Sequence, residues 1–252
     1  MFCLLIESHF AAFRPFITGS FRPAAPFITP SAAYGLLLNL AGIEMREDDG
    51  KSAMTLIKKS GLPEMDIALG APVANKPWKQ DRSLEKGESS VFPTVQQLYQ
   101  QLHNYPVGKQ GLEHAPYAMG NKYNITPVRR SFLHGLRAVV CFRNCRNPED
   151  IGEMACAGLR GELRREYGLP FLGDSNFLPD RIEVLESPPP CYWFVPVVEG
   201  DGEPPDQSIG RLTITIDRAD SSRTQSKLFG PTSEQSDEIP NHAWVSIDYS
   251  RA

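Results

Sequence analysis

No stretch of the 252-residue chain approaches the roughly 20 consecutive apolar residues that a membrane-spanning helix needs. The apolar opening, Phe2-Cys3-Leu4-Leu5-Ile6, is too short for a secretory signal core and has no basic residue before it, so it reads as a first β-strand. Cysteine is scarce and odd in number. Cys3, Cys141, Cys145, Cys156 and Cys191 show no disulfide-framework spacing, which points to reduced thiols and a cytoplasmic location. Cys141 and Cys145 have no second pair of metal-ligand type, so neither zinc nor any other cofactor is expected. A phosphate-binding glycine loop, an HExxH helix and a CxxC pair are all missing, so none of those chemistries is signalled.

Acidic residues are also absent from two long windows. Ser8–Ile43 holds no Asp or Glu but contains Arg14 and Arg22. His114–Asn147 is again acid-free and carries Lys122, Arg129, Arg130, Arg137, Arg143 and Arg146. The two windows thus hold eight of the 26 basic residues and none of the 30 acidic ones, although the whole chain has a net charge of −4. An acidic shell around two basic windows is the distribution expected of a localised phosphate site. Chance clustering would give the same pattern, and charge alone does not separate the two.

The many turns implied by 22 prolines and 20 glycines exclude a helical bundle. Phe2–Glu7 reads as a buried strand. Thr29-Pro30-Ser31 supplies a capping hydroxyl and a first-turn proline for a helix over Ala32–Ala41, stopped at Gly42 and core-facing on most sides. Residues 44–64 read as polar surface, Met65–Gly70 as a short strand, and 72–90 as a charged, punctuated segment. Val95, Leu98, Tyr99 and Leu102 have helical spacing, so a short helix is predicted over Val95–His103. Residues 108–130 read as an exposed excursion and Phe132–Phe142 as a strand. Asn147-Pro148-Glu149-Asp150 starts a helix whose apolar positions run from Ile151 to Leu163 and end by Gly168. Arg181–Leu185, Cys191–Val198, Arg211–Asp217 and Trp244–Tyr249 are strand candidates, with polar loops over 199–208 and 219–241. The order strand, helix, strand, strand, helix, strand is that of an α+β, ferredoxin-like or RRM-type core. The expected organisation is a core over residues 1–198, including an excursion at about 72–130, and a β-rich C-terminal extension over 199–252.

Four blocks carry a resemblance. The first runs Phe13-Arg14-Pro15-Phe16-Ile17-Thr18-Gly19-Ser20-Phe21-Arg22-Pro23 and continues through Phe27 to Leu37. The others are Tyr99–Gly108, Gly120–Arg130 and Leu169–Leu178. Together they closely resemble the CRISPR-associated "Cas five" family, within the RAMP superfamily, and more narrowly its Myxan or DevS branch of type I-B systems. The resemblance implies a subunit of the Cascade surveillance complex that caps the guide crRNA by holding its 5′ repeat-derived handle. It also implies a protruding thumb against the backbone subunit, a contact with the large PAM-reading subunit, and target DNA met only indirectly, through the guide.

Arg14 and Arg22 flank Thr18-Gly19-Ser20, where a guanidinium can fork onto phosphate and Gly19 lets backbone amides approach. Ser20, Ser31 and the helix start could hold a further phosphate. Tyr34 reads as a base-stacking ring or as core. Lys122, Tyr123 and Asn124 with Arg129 and Arg130 combine cations and an aromatic in the manner of a single-strand grip, which the resemblance places in the thumb. The plainer alternatives are solvated loop arginines, an ordinary cap and a basic loop. Relatives in type I-C systems cut precursor guide RNA, but His9, His103, His114, His134 and His242 are scattered without a nucleophile or paired carboxylates. A non-catalytic binding subunit is therefore expected, with a metal-independent endoribonuclease as the alternative.

Overall fold

The computed structural model describes residues 1–14, 21–47, 56–58, 60–73, 91–106, 123–146, 151–166, 168–197 and 209–250. The first half contains strands β1 (Phe2–Ala11) and β2 (Phe21–Arg22), helix α1 (Pro30–Leu40), and strands β3 (Arg46–Glu47), β4 (Leu56–Ile57), β5 (Glu64–Pro72) and β6 (Thr94–Pro106). The second half adds β7 (Tyr123–Arg146), α2 (Ile151–Leu159), β8 (Arg181–Leu185), β9 (Cys191–Pro196), β10 (Gly210–Thr215), β11 (Gln225–Pro231) and β12 (Val245–Ile247). One mostly antiparallel sheet runs β10-β11-β9-β5-β7-β1-β8, with β12 on β5 and both β2 and β6 on β7. Strands β3 and β4 form a separate pair.

Side-chain alternation divides β1 between two cores. Leu4 and Ile6 face α1 and α2, together with Ile67 and Leu69 of β5 and Ala138 and Val140 of β7. Cys3, Ala68, Val139 and Cys141 face the other way, into a smaller core closed by Trp193, Ala243 and the flanking Ile239 and Trp244. Both faces of the central sheet are therefore covered, the second by the C-terminal segment.

Helix α1 begins as its sequence predicts. Thr29 accepts from the Ala32 amide at 3.2 Å, and Gly42, at φ +71°, lets the Ile43 amide reach back to Leu38 O at 2.8 Å. Its buried side is broad because Ala33, Tyr34, Leu36, Leu37, Leu38 and Leu40 are all enclosed. Helix α2 packs on it so closely that a Cβ at Gly158 would lie 1.8 Å from Leu40 O. Gly158→Ala must push the helices apart and is expected to cost about 3 kcal/mol, read as a lower denaturation midpoint.

Three elements differ from expectation. The helix predicted over Val95–His103 is strand β6, paired with β7 from Thr94↔His134 to His103↔Ile125 and on to Pro106↔Tyr123. Val95, Leu98 and Tyr99 are exposed and line no core, and the ladder satisfies the backbone instead. Helix α2 stops at Leu159, because Gly161 at φ +78° lets the Glu162 amide close onto Ala157 O at 3.0 Å. Strand β11 occupies part of the stretch expected to be a polar loop over 219–241. The helix start at 147–150 and the segments 74–90 and 198–208 lie outside the described residues.

The cysteine reading also changes. Cys3 and Cys141, registered opposite each other on β1 and β7, are joined by a disulfide. Their sequence separation of 138 conceals a pairing that only strand register reveals. Cys191 stays a free thiol, pushed up to about 12 by burial. No helix among the described residues is long and apolar enough to cross a membrane.

Candidate nucleic-acid interface

Beyond Ala11 the chain leaves the edge of β7, and β2 takes that edge a few residues further along. Phe21 pairs with Arg129 and Arg22 with Arg130, in parallel. The side chains of registered neighbours point the same way, so Arg22 and Arg130 share one face of the ladder, while Arg129 points to the other. This pairing joins the two acid-free windows.

Arg14 arrives from the end of β1. The Phe13 carbonyl accepts from the Ala25 amide at 2.7 Å, and the Ala12 amide donates to Leu172 O at 3.0 Å. The second bond docks the turn that carries Asp174. Gly173 makes that approach feasible: it sits at φ +78°, and a Cβ there would lie 2.4 Å from Ala12 O. The Asp174 carboxylate, with a side-chain exposure of 9%, accepts from Arg14 and, at 3.2 Å, from Arg130 through the same oxygen. Its other oxygen accepts from the Asn176 amide at 3.1 Å and the Asn176 side chain at 2.9 Å.

One carboxylate thus pairs two guanidiniums, and a third, Arg22, lies close enough to Arg130 to repel it. Burial lowers the pKa of Arg130, and Arg14 and Arg22 lower it further by like-charge repulsion, against the pull of Asp174. The cluster stays electropositive after its internal ion pairs are made. The Arg14 Nε is buried without a hydrogen-bond partner among the described residues, and Arg22 has no ion-pair partner among them. Such a group has capacity for an anion with several acceptor oxygens, such as a phosphodiester.

Asp174 itself titrates low. Burial pushes its carboxyl up, but the Asn176 amide and the Arg14 and Arg130 guanidiniums outweigh that and hold it below the ordinary 3.8. The ionised form therefore favours the fold. Its contribution is full above pH 3.8 and disappears as pH falls through the lowered value. Asp174→Asn is accordingly expected to melt below the parent near neutrality, with the gap narrowing in acid, in a series of melts against pH.

The other expected residues fall elsewhere. The Arg129 guanidinium lies 4.3 Å over the Phe21 ring, on the opposite face of the ladder. Tyr34 takes the core alternative. It is fully buried, its hydroxyl donates to Pro63 O at 2.9 Å and its ring packs 5.3 Å from Tyr249. A base cannot reach it there, and burial raises its pKa, with Tyr249 and Asp248 adding to the rise. Ser31 is also buried, with its hydroxyl 3.1 Å from that of Thr29, so this helix start is closed inside the protein and offers no phosphate site. Gly19, Ser20 and Lys122 lie outside the described residues. Tyr123 and Asn124 begin β7, six or seven residues from Arg130 along the strand, and their side chains lie outside the described ones. Two cations of the second window are engaged within the sheet, Arg137 with Glu7 at 2.8 Å and Arg143 with Asp66 at 3.4 Å.

Asp174 was not singled out by sequence reasoning, although it lies in the Leu169–Leu178 block. The available signal was a lone acid in a Gly-Asp-Ser-Asn turn. Among the described residues no group of three or more His, Cys, Asp or Glu is gathered as a metal site.

Neither a protein-family model nor any curated protein matches the sequence. Solved structures do. A chain of a CRISPR RNA-guided surveillance complex superposes with a TM-score of 0.51 at 12% identity, over 93% of this chain and 90% of that one. The two share a fold. A crystal structure of a Cas protein aligns over 92% of this chain and 93% of its own at 12% identity, with a TM-score of 0.40.

Proposed function

We propose that this chain is a non-catalytic subunit of a type I CRISPR surveillance complex (Cascade), one that holds the 5′ repeat-derived handle of the guide crRNA. The observation that carries this reading is the gathering of Arg14 and Arg22 about Arg130, from two acid-free windows, with the single carboxylate of Asp174 pairing Arg14 and Arg130. The fold shared with a surveillance-complex chain supports it. So does the strand order β8-β1-β7-β5, with α1 after β1 and α2 after β7, which is the order expected of a ferredoxin-like or RRM-type core. On this reading the membership is that of the "Cas five" family in its type I-B branch. The β6–β7 hairpin is the thumb that meets the backbone subunit, and the large PAM-reading subunit lies on another side. The guide reads DNA by base pairing while this chain reads backbone and shape, without catalysis.

The test is the complex co-purified with a chain carrying Arg14→Ala and Arg22→Ala. Handle RNA retained per complex is expected to fall clearly, and retention equal to the parent's rejects the assignment. A discrete cut in repeat RNA by the purified chain in EDTA would instead establish the endoribonuclease.

A further inference from the structure

A cluster of rings borders the arginines on the same face of the ladder. Strand alternation turns Arg130, Phe132 and His134 of β7 to one side, with Arg22 registered beside Arg130 and Phe10 beside His134. Phe10 meets Phe132 edge-on at 5.7 Å, His134 at 5.7 Å and Phe177 at 6.2 Å. Phe177 belongs to the Asp174 turn, its amide donating to Asp174 O at 2.9 Å. One short turn therefore supports both the carboxylate among the arginines and a wall of the ring cluster.

These rings do not fill a core. Phe10 is 45% exposed, whereas Phe13 and Phe27, close by in sequence, are enclosed. The neighbouring charge also selects an occupant. Arg130 is the next residue on that face from Phe132, Arg22 is registered beside it, and Arg14 shares its carboxylate partner. Of the acids at hand, Asp174 is engaged by two arginines, and Asp180 accepts from the His9 amide at 2.6 Å and lies 2.7 Å from the His9 ring. An apolar, ring-faced surface continuous with an anion site suits a nucleotide, whose base presents a π face whatever its identity while its phosphate meets the guanidinium.

We infer that Phe10, Phe132, Phe177 and His134 form a stacking platform that takes an unpaired base of the strand whose phosphates the arginines hold. The inference rests on the RNA-binding reading above and adds to it a base subsite, with single-stranded, unpaired nucleotides as the ligand class. Because stacking is indifferent to base identity, the platform fixes where the strand turns and leaves sequence unread.

The experiment titrates the full chain with a short unstructured RNA carrying a fluorescent adenine analogue, across a range of salt. Phe10→Leu with Phe132→Leu keeps the apolar bulk and removes the flat faces. It is expected to bind about tenfold more weakly, as loss of one stacked base implies. The salt slope should match the parent's, since no phosphate contact is removed, and quenching of the analogue should be lost. Phe10→Trp, which preserves a ring if the double variant fails to fold, is expected to bind at least as tightly as the parent. Parent-like affinity and quenching in the leucine variant overturn the platform, as does weakened binding by Phe10→Trp. If the leucine variant binds RNA normally but no longer enters the complex, the rings face a protein and the inference is overturned. If the parent itself binds no RNA, the underlying reading fails, an outcome distinct from the others.

Discussion

Alanine at Arg14, Arg22 and Arg130 together is expected to weaken single-stranded RNA binding by roughly a hundredfold or more, since charge-assisted hydrogen bonds contribute about 1.5–3 kcal/mol each. The salt dependence carries the sharper signature. Three lost phosphate contacts flatten the slope of log affinity against log salt by about two, at close to 0.7 per contact on a single strand. Removing Arg14 and Arg130 alone would leave the Asp174 carboxylate buried without its partners. The variant therefore also carries Asp174→Asn, and a melt confirms that it folds. Anisotropy titrations at several salt concentrations measure both quantities. A tenfold loss with an unchanged slope would show that the arginines act by packing and not by meeting phosphate.

Asp174→Ala should pull two properties in opposite directions. Two guanidiniums, with side-chain exposures of 24% and 15%, lose the carboxylate that orients them. Breaking a largely buried ion pair from one side costs about 3–5 kcal/mol when burial is complete. The partial exposure here brings the expected loss to about 2–4 kcal/mol, measured by denaturant unfolding. The same change adds one unit of positive charge to the face offered to RNA, so association at low salt should accelerate. A residue that served only to hold the turn in place would lower stability and leave the salt-dependent association rate alone.

How much of this was legible in the sequence varies with the range of the interactions. Helix α1 was readable because its cap, first-turn proline and terminal glycine all lie within a few residues of the apolar run they bound. Strand β1 was readable because apolar residues dominate it, although it extends to Ala11. Strand β6 was not, since Val95, Leu98, Tyr99 and Leu102 repeat at a helical interval that an exposed strand tolerates equally well. Arg14, Arg22 and Arg130 were each visible as candidate phosphate ligands, yet they read as members of two sites. Their convergence depends on the β2–β7 pairing and on the docking of the Asp174 turn at Ala12, both long-range contacts with no local pattern. Tyr34 shows the converse: its helical position favoured the interior, and its proximity to a helix start kept a second reading open until burial decided it.

Strand β7 belongs at once to the arm and to the body. Its 24 residues pair with β6 along the hairpin, then with β1 and β5 in the middle of the sheet, with no linker between the two roles. A tug on the hairpin is consequently delivered along the central strand itself. It loads the ladders to Phe2–Ala11 and Glu64–Pro72 in shear, many rungs together, and they resist as one bolt. Whatever grips the arm holds the whole body.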